Sequence, residues 1–138
     1  MNYWLLKSEP ETWSWQNQTN VKKASWDGVR NYQARNNLRK MRIGDLCMFY
    51  HSVKEKRIIG IVKVVKEAYP DKTDKTNRFD MVDVSAYKKL KNPVSLELIK
   101  KDKRLKNIGL VKQARLSVMP IDSKSWMIIL KMSNLNKE

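Results

Sequence analysis

Two apolar runs of strand length, residues 46–51 and 57–67, stand a few polar residues apart, and nothing else in the sequence constrains the fold as tightly. Both are rich in Ile, Val and aromatic residues, which suit a pleated, half-buried surface. So short a connection makes them antiparallel neighbours. Residues 2–7 predict a first strand. Phe79, Met81, Val82 and Val84 open another that runs toward Leu90 and ends at Pro93, and residues 116–120 give a last one. Between them, Ser8-Glu9-Pro10-Glu11 has the spacing of a helix capping box, which predicts a short helical turn through Trp13 and Trp15. Residues 31–41 have helix-forming composition, with Arg35 and Arg39 sharing a face. Gly44-Asp45 turns the chain, Tyr69-Pro70-Asp71 begins a polar loop reaching Arg78, Leu96, Leu98, Ile99 and Leu105 mark a further helix, and Asp122 caps a last one through Trp126 and Leu130. The sum is an α+β fold, a mixed β-barrel of about five or six strands with peripheral helices. At 138 residues, with no repeat and no low-complexity stretch, the chain reads as a single domain, 1–138.

Charge narrows the partners. Lys and Arg total 29 against 14 Asp and Glu, a formal net charge of +15, which favours polyanions. Two stretches, residues 21–57 and 81–115, carry nearly all of the excess and are expected to meet in space. Lysine pairs such as Lys88-Lys89 and Lys100-Lys101 read as solvated surface. Arg30, Arg35, Arg39 and Arg42 are harder to dismiss. The apolar runs fall far short of the roughly 20 residues that span a bilayer, so no membrane partner is expected. No secretory leader precedes Glu9-Pro10-Glu11, which points to a cytoplasmic protein. One cysteine, Cys47, and one histidine, His51, make neither a disulfide nor an ordinary zinc cage, so no metal and no cofactor are expected.

The densest chemistry lies in Trp26-Asp27-Gly28-Val29-Arg30-Asn31-Tyr32-Gln33-Ala34-Arg35-Asn36-Asn37-Leu38. Trp26 and Tyr32 offer stacking faces, the amides paired donors and acceptors, and Arg30 and Arg35 planar forks for phosphate. Gly28 would allow a close backbone approach to a ligand, and Asp27 or Asn31 could cap the following helix. Trp26 is equally at home as a core residue and Asn31 as a simple cap. Neither role accounts for Gln33, Arg35, Asn36 and Asn37 together. In Met48-Phe49-Tyr50-His51-Ser52, alternation sends Phe49 and His51 to one side and Tyr50 and Ser52 to the other. His51 lacks an obvious acidic partner in sequence and reads as structural. Lys7, Ser8 and Glu9 follow the core residue Trp4, with Ser8 a cap and Glu9 able to accept from a base amino group. Arg115 is placed for phosphate and Ser117 for burial in a strand. Cys47 reads as a small buried apolar residue.

The thirteen-residue segment, together with Tyr3-Trp4-Leu5-Leu6-Lys7-Ser8-Glu9-Pro10, Phe49-Tyr50-His51-Ser52, Ile59-Gly60-Ile61, Ala68-Tyr69-Pro70-Asp71, Val82-Asp83-Val84 and Arg115-Leu116-Ser117-Val118, resembles the EVE domain over nearly the whole chain. The resemblance implies a PUA-like barrel and a reader of modified bases, chiefly modified cytosines such as 5-methylcytosine and 5-hydroxymethylcytosine in DNA or RNA, that holds a flipped base in a pocket. On this reading Lys7, Ser8, Glu9, Trp26, Gly28, Val29, Asn31, Tyr32, Asn36, Tyr50 and Ser52 surround the base, and Arg30, Arg35, Arg39 and Arg115 hold phosphate. The protein then acts as a monomer and not as an enzyme. The sequence departs from the family pattern after Pro70, where a short polar loop ending in Phe79-Asp80 replaces a longer, proline-rich insertion; a more open pocket is the expectation. Two other functions fit the composition. One is a pocket for a free nucleoside-like molecule or an RNA-processing accessory role; the other is a nucleotide-acting enzyme using Glu9, His51 and Tyr50, for which no glycine-rich phosphate loop, nucleophile elbow or carboxylate pair is present.

Overall fold

In the computed structural model, which describes residues 1–134, strand β1 (Tyr3–Ser8) is an inner strand of a six-stranded sheet, one place from its edge. Residues 135–138 of the expected single domain lie outside the described residues. The other strands are β2 (Lys23–Trp26), β3 (Leu46–His51), β4 (Arg57–Pro70), β5 (Asp80–Ser95) and β6 (Val118–Ile121), in the spatial order β2-β5-β4-β3-β1-β6. The β1–β3 pair is parallel and the rest antiparallel, so the sheet is mixed and its edge strands β2 and β6 do not pair with each other. Around it pack α1 (Trp15–Val21), α2 (Tyr32–Lys40), α3 (Leu96–Lys101), α4 (Gly109–Lys112) and α5 (Ser123–Met132), with a 3-10 turn at Lys103–Leu105.

Several expectations are corrected in detail. The capping box lies at Ser14, whose side chain accepts from the Asn17 N–H while Asn17 reaches back to the Ser14 N–H. Ser8 instead ends β1 and donates its hydroxyl to the Trp13 carbonyl, closing the turn that α1 follows. The helix read through Leu105 ends at Lys101, and the 3-10 turn follows it. β5 continues through Pro93 to Ser95 because the β4–β5 register breaks between Ile58 and Gly60, and a proline at a bulge need not donate to the ladder. β4 likewise runs on to Pro70. The edge strand β2 escapes a sequence reading because four residues give no usable alternation. Its pairing with β5, Lys23 opposite Ser85 and Trp26 opposite Val82, joins the two basic stretches.

The part of the core that positions the site centres on Phe49, which is fully buried. Trp15 and Trp26 meet it edge-on at centroid distances of 5.4 and 5.5 Å, and His51 does so at 5.7 Å. Across the β3–β4 ladder Phe49 faces Gly60, and the missing side chain there makes room for Trp15: a Cβ would meet three indole carbons at 2.6–2.7 Å. His51 then fastens α1, its Nε2 accepting the Trp15 N–H at 3.0 Å while Nδ1 faces Glu55 at 3.0 Å. At the other end of β1, the buried Asp45 carboxylate accepts from Trp4 Nε1 and the Arg42 and Asn2 amides. Tyr3 stacks on Trp126 of α5 at 4.4 Å. Because a rigid indole cannot give way to a methyl group, Gly60→Ala should destabilise the fold by about 1–3 kcal/mol. A denaturant titration matching that of the unaltered chain would contradict this account of Trp15.

Candidate nucleic-acid interface

Two indoles resting on one phenyl ring leave a gap beside them. Where β1 ends and the turn of residues 9–13 begins, the chain faces the end of β2 and the segment 27–30, and between them lies an open cleft of about 630 Å³. Trp26 forms its floor: 8% exposed, it is held from below by Phe49, so it is at once a core residue and the aromatic face of the cleft. Lys7, Ser8, Glu9, Gly28 and Val29 line it as the sequence suggests, and Arg30 joins them. Trp13, Ser25, Asp27 and Ser117 also line it, and sequence reasoning did not assign them there. Ser117 sits just before β6, where no local signal connects it with residues a hundred positions away. Lys7 donates to the Ala114 carbonyl at 2.7 Å, and burial pulls its ammonium below its ordinary pKa.

The remaining residues proposed for the base pocket are not among those that line the cleft. Asn31 caps α2 by accepting the Ala34 N–H at 2.9 Å, Asn36 accepts from Arg35, and neither lines the cleft. Tyr32 is half-exposed and stacks on Phe79 at 5.1 Å. Tyr50 and Ser52, in or just beyond β3, stand beside the lining residues: the Lys7 ammonium lies 6.0 Å from the Tyr50 ring, the Ser52 N–H donates to the Ser8 carbonyl at 2.9 Å, and burial pushes the Tyr50 phenol up to about 12. Asn37 ties α2 to β6 through the Val118 carbonyl. His51, with both ring nitrogens engaged, is a structural residue, and its acidic partner Glu55 is the one that sequence inspection passed over.

The lip of the cleft is held by a clamp from the short loop 71–79. Gly28, with φ of +80°, takes the left-handed backbone that glycine adopts freely, and its N–H donates to Asp71 Oδ2 at 2.8 Å rather than facing a ligand. The same oxygen accepts from Arg30 Nη1 at 3.1 Å, and Arg30 Nη2 donates to Thr73 Oγ1 at 2.8 Å. Arg30 therefore serves the wall of the cleft instead of standing free for phosphate. Its guanidinium also lies 5.5 Å from the Phe79 ring, so Phe79 connects the loop to both Arg30 and Tyr32. Asp74 folds the loop itself, accepting the amides of Thr76, Arg78 and Phe79.

The other arginines sort by neutralisation. Arg39 is paired with Asp80. Among the described residues Arg35 is held only by neutral acceptors, Asn36 Oδ1 and the Arg78 carbonyl, and lies 4.7 Å from the Tyr32 ring, so its charge is oriented without an ion-pair partner among them. Arg115 is exposed, and no ion pair is formed with it among the described residues. Uncompensated, oriented guanidinium groups are the ones that gain most from a phosphate. Among the described residues there is no cluster of His, Cys, Asp or Glu suited to a metal, and no helix is long and apolar enough to cross a membrane.

The family model for the EVE domain matches residues 2–132. The chain belongs to the EVE domain family. Thymocyte nuclear protein 1 of Mus musculus is 38% identical over 165 aligned positions, covering 95% of this chain and 73% of that protein. That alignment is longer than the chain, so the relative carries residues inside the matched span that this EVE domain lacks. Among solved structures, the NMR structure of a Rhodopseudomonas palustris protein superposes with a TM-score of 0.94 at 42% identity, covering 100% of this chain and 97% of that one. The crystal structure of human THYN1 protein in complex with DNA containing 5-methylcytosine superposes with a TM-score of 0.87 at 34% identity, covering 96% and 98%. A YTH domain from Zygosaccharomyces rouxii, at 16% identity and a TM-score of 0.58, shares the fold.

The Asp71 clamp is testable by pH. Burial by itself pushes the Asp71 carboxyl up, yet donors from Thr73, Gly28 and Arg30 outweigh it and hold the group below the ordinary carboxylate value of 3.8. Its ionised form stabilises the fold fully above that value, and the contribution is lost as pH falls through the lower folded value. Asp71→Asn should flatten part of the acid limb of the stability curve and speed amide exchange at Gly28. An unchanged acid limb and unchanged Gly28 exchange would rule the clamp out.

Proposed function

We propose that this EVE domain binds nucleic acid and takes one modified base, a modified cytosine in the leading case, into the cleft over Trp26, as a module without catalytic activity. The observation that carries the reading is the construction of the cleft: an indole floor fixed by Phe49, polar groups from three separate chain segments around it, and a net charge of +15 on the whole chain. The EVE relative solved with DNA containing 5-methylcytosine supports the choice of base. Extruding a base costs a few kcal/mol, and stacking on an aromatic face returns roughly 1–3 kcal/mol of it. Phosphate contacts by Arg35 and Arg115 supply the sequence-independent remainder. Arg30 and Arg39, already matched by Asp71 and Asp80, contribute less.

Selectivity for a methyl group has a small physical ceiling. Burying one is worth about 0.8 kcal/mol, a factor of about four in affinity. A hydroxymethyl group has a different opportunity, since Ser25, Ser117, Glu9 and Asp27 offer hydroxyl and carboxylate oxygens in the cleft, whereas Asn31 and Asn36 do not reach it. The acid–base alternative is weakened by its own residues. His51 has both nitrogens occupied, and a phenol with a pKa of about 12 exchanges few protons near neutrality. A free nucleoside fits the cleft volume, which lies within the usual range for small-molecule pockets. It would raise the melting temperature without any oligonucleotide response.

The test is a set of oligonucleotides identical except for cytosine, 5-methylcytosine or 5-hydroxymethylcytosine at one position, titrated at a fixed, stated salt concentration. The 5-methylcytosine strand should bind up to about fourfold more tightly than the cytosine strand, and the 5-hydroxymethylcytosine strand more tightly than either. Trp26→Ala should abolish that ratio while leaving most of the salt-dependent affinity. Equal affinities for all three strands with the unaltered chain would refute the reading.

A further inference from the structure

Outside the cleft, the most unusual surface lies on the other side of α1. There β5 turns Tyr87, Lys88 and Lys89 outward, and with Trp15, Gln16 and Thr19 of α1 they enclose a groove of about 340 Å³. Tyr87 is 53% exposed, and Lys63 from β4 lies 5.2 Å from its ring. No carboxylate pairs with Lys63, Lys88 or Lys89 among the described residues, so one cation lies over the exposed ring and two more line the same groove without internal compensation. A merely solubilising lysine face has no need of an exposed phenol in a concavity. A surface that follows a nucleic-acid strand needs both, cations for phosphate and a ring for a base.

The position of the groove matters as much as its chemistry. Its wall Trp15 and the cleft floor Trp26 are both edge-on to Phe49, so one phenyl ring separates the two sites. They also share the β2–β5 ribbon, with Ala24 and Ser25 in the cleft and Ala86 to Lys89 in the groove, joined by the Lys23–Ser85 and Ala24–Val84 pairs and the Ala86 N–H to Lys22 carbonyl bond. Lys22 and Lys23, both exposed, lie on that path. A strand leaving the cleft along the ribbon therefore passes Lys23 and Lys22 before it reaches Tyr87.

We propose that the groove between α1 and β5 is a second nucleic-acid contact, in which Lys88 and Lys89 hold phosphates and Tyr87 stacks on a base flanking the one in the cleft. The inference rests on the nucleic-acid reading of the cleft and extends it to a neighbouring nucleotide. It assigns a role to a lysine pair that composition alone reads as solvated surface.

The experiment measures binding of the full chain to a single-stranded oligonucleotide with one 5-methylcytosine across a series of salt concentrations. Lys88→Gln with Lys89→Gln should reduce the slope of log affinity against log salt by about 1.4, two phosphates' worth for a single strand, while the preference over unmodified cytosine persists. Tyr87→Ala should weaken binding by roughly 5- to 150-fold with little change in slope. A control of equal charge, Lys100→Gln with Lys106→Gln, should leave the slope nearly unaltered. If the two double variants lower the slope equally and Tyr87→Ala binds normally, the groove is not a contact, even where base preference survives. If the unaltered chain shows no base preference but the slopes still separate, the groove stands and the cleft reading fails. Absence of any binding by the unaltered chain overturns both.

Discussion

The fold and the site both depend on the edge-on contacts made by Phe49. An aromatic ring in the middle of a sheet is ordinary core; here its neighbours are the floor of the cleft and the first residue of α1. The quadrupole of the phenyl ring favours edge-to-face neighbours, and each such pair adds about 0.5–1.5 kcal/mol beyond the area it buries. That energy fixes two indoles at defined tilts, and Gly60 and His51 then leave Trp15 only one place to lie. A cleft floor held in this way loses no side-chain entropy when a base arrives. Preorganisation is the main physical advantage that this arrangement offers a binding module.

The rim is built differently. The segment 27–30 lacks regular structure, and a loop twenty or more positions beyond β3 holds it through one buried carboxylate. Asp71 takes the Gly28 amide and the Arg30 guanidinium together, and Phe79 braces Arg30 from the same loop. A short loop that folds on two aspartates can thus support the cleft without a long insertion. The two arginines are therefore neutralised differently. Arg30 is ion-paired within the wall, while Arg35 is held by neutral acceptors against Tyr32, which leaves it the better candidate for a phosphate on the proposed reading.

Much of this architecture was legible in the sequence because it is carried by local patterns. The runs that became β1, β3, β4 and β5, the Asn31 and Asp122 caps and the structural role of His51 all follow from alternation, capping chemistry and hydrogen-bonding capacity. The motif around Trp26 pointed to the cleft, and its glycine and tryptophan are there. The residues of that motif that do not line the cleft fail to do so for a common reason. Asn31, Tyr32 and Asn36 are close to Trp26 in sequence, but α2 starts at Tyr32 and carries the chain away from the cleft, and proximity along a chain does not survive a helix start. Conversely, Ser117 and Asp71 reach the site through β-sheet pairing and a distant loop, and no spacing rule encodes those contacts. The false capping box at Ser8 is a third kind of error: the right residue types at the right spacing, with the competing hydrogen bond to the Trp13 carbonyl winning.

The central claim is that a base lies against Trp26. Five tryptophans give five indole N–H resonances, and two of these indoles have fixed partners elsewhere, Trp4 with Asp45 and Trp13 with Gln18. Titrating isotope-labelled protein with an oligonucleotide carrying one 5-methylcytosine and following those resonances reads the site directly. The account predicts a large ring-current shift at Trp26, accompanied by amide shifts in Ser8 and Val29, with the Trp4 and Trp126 indoles unmoved. Saturating binding that leaves the Trp26 indole where it began would contradict it.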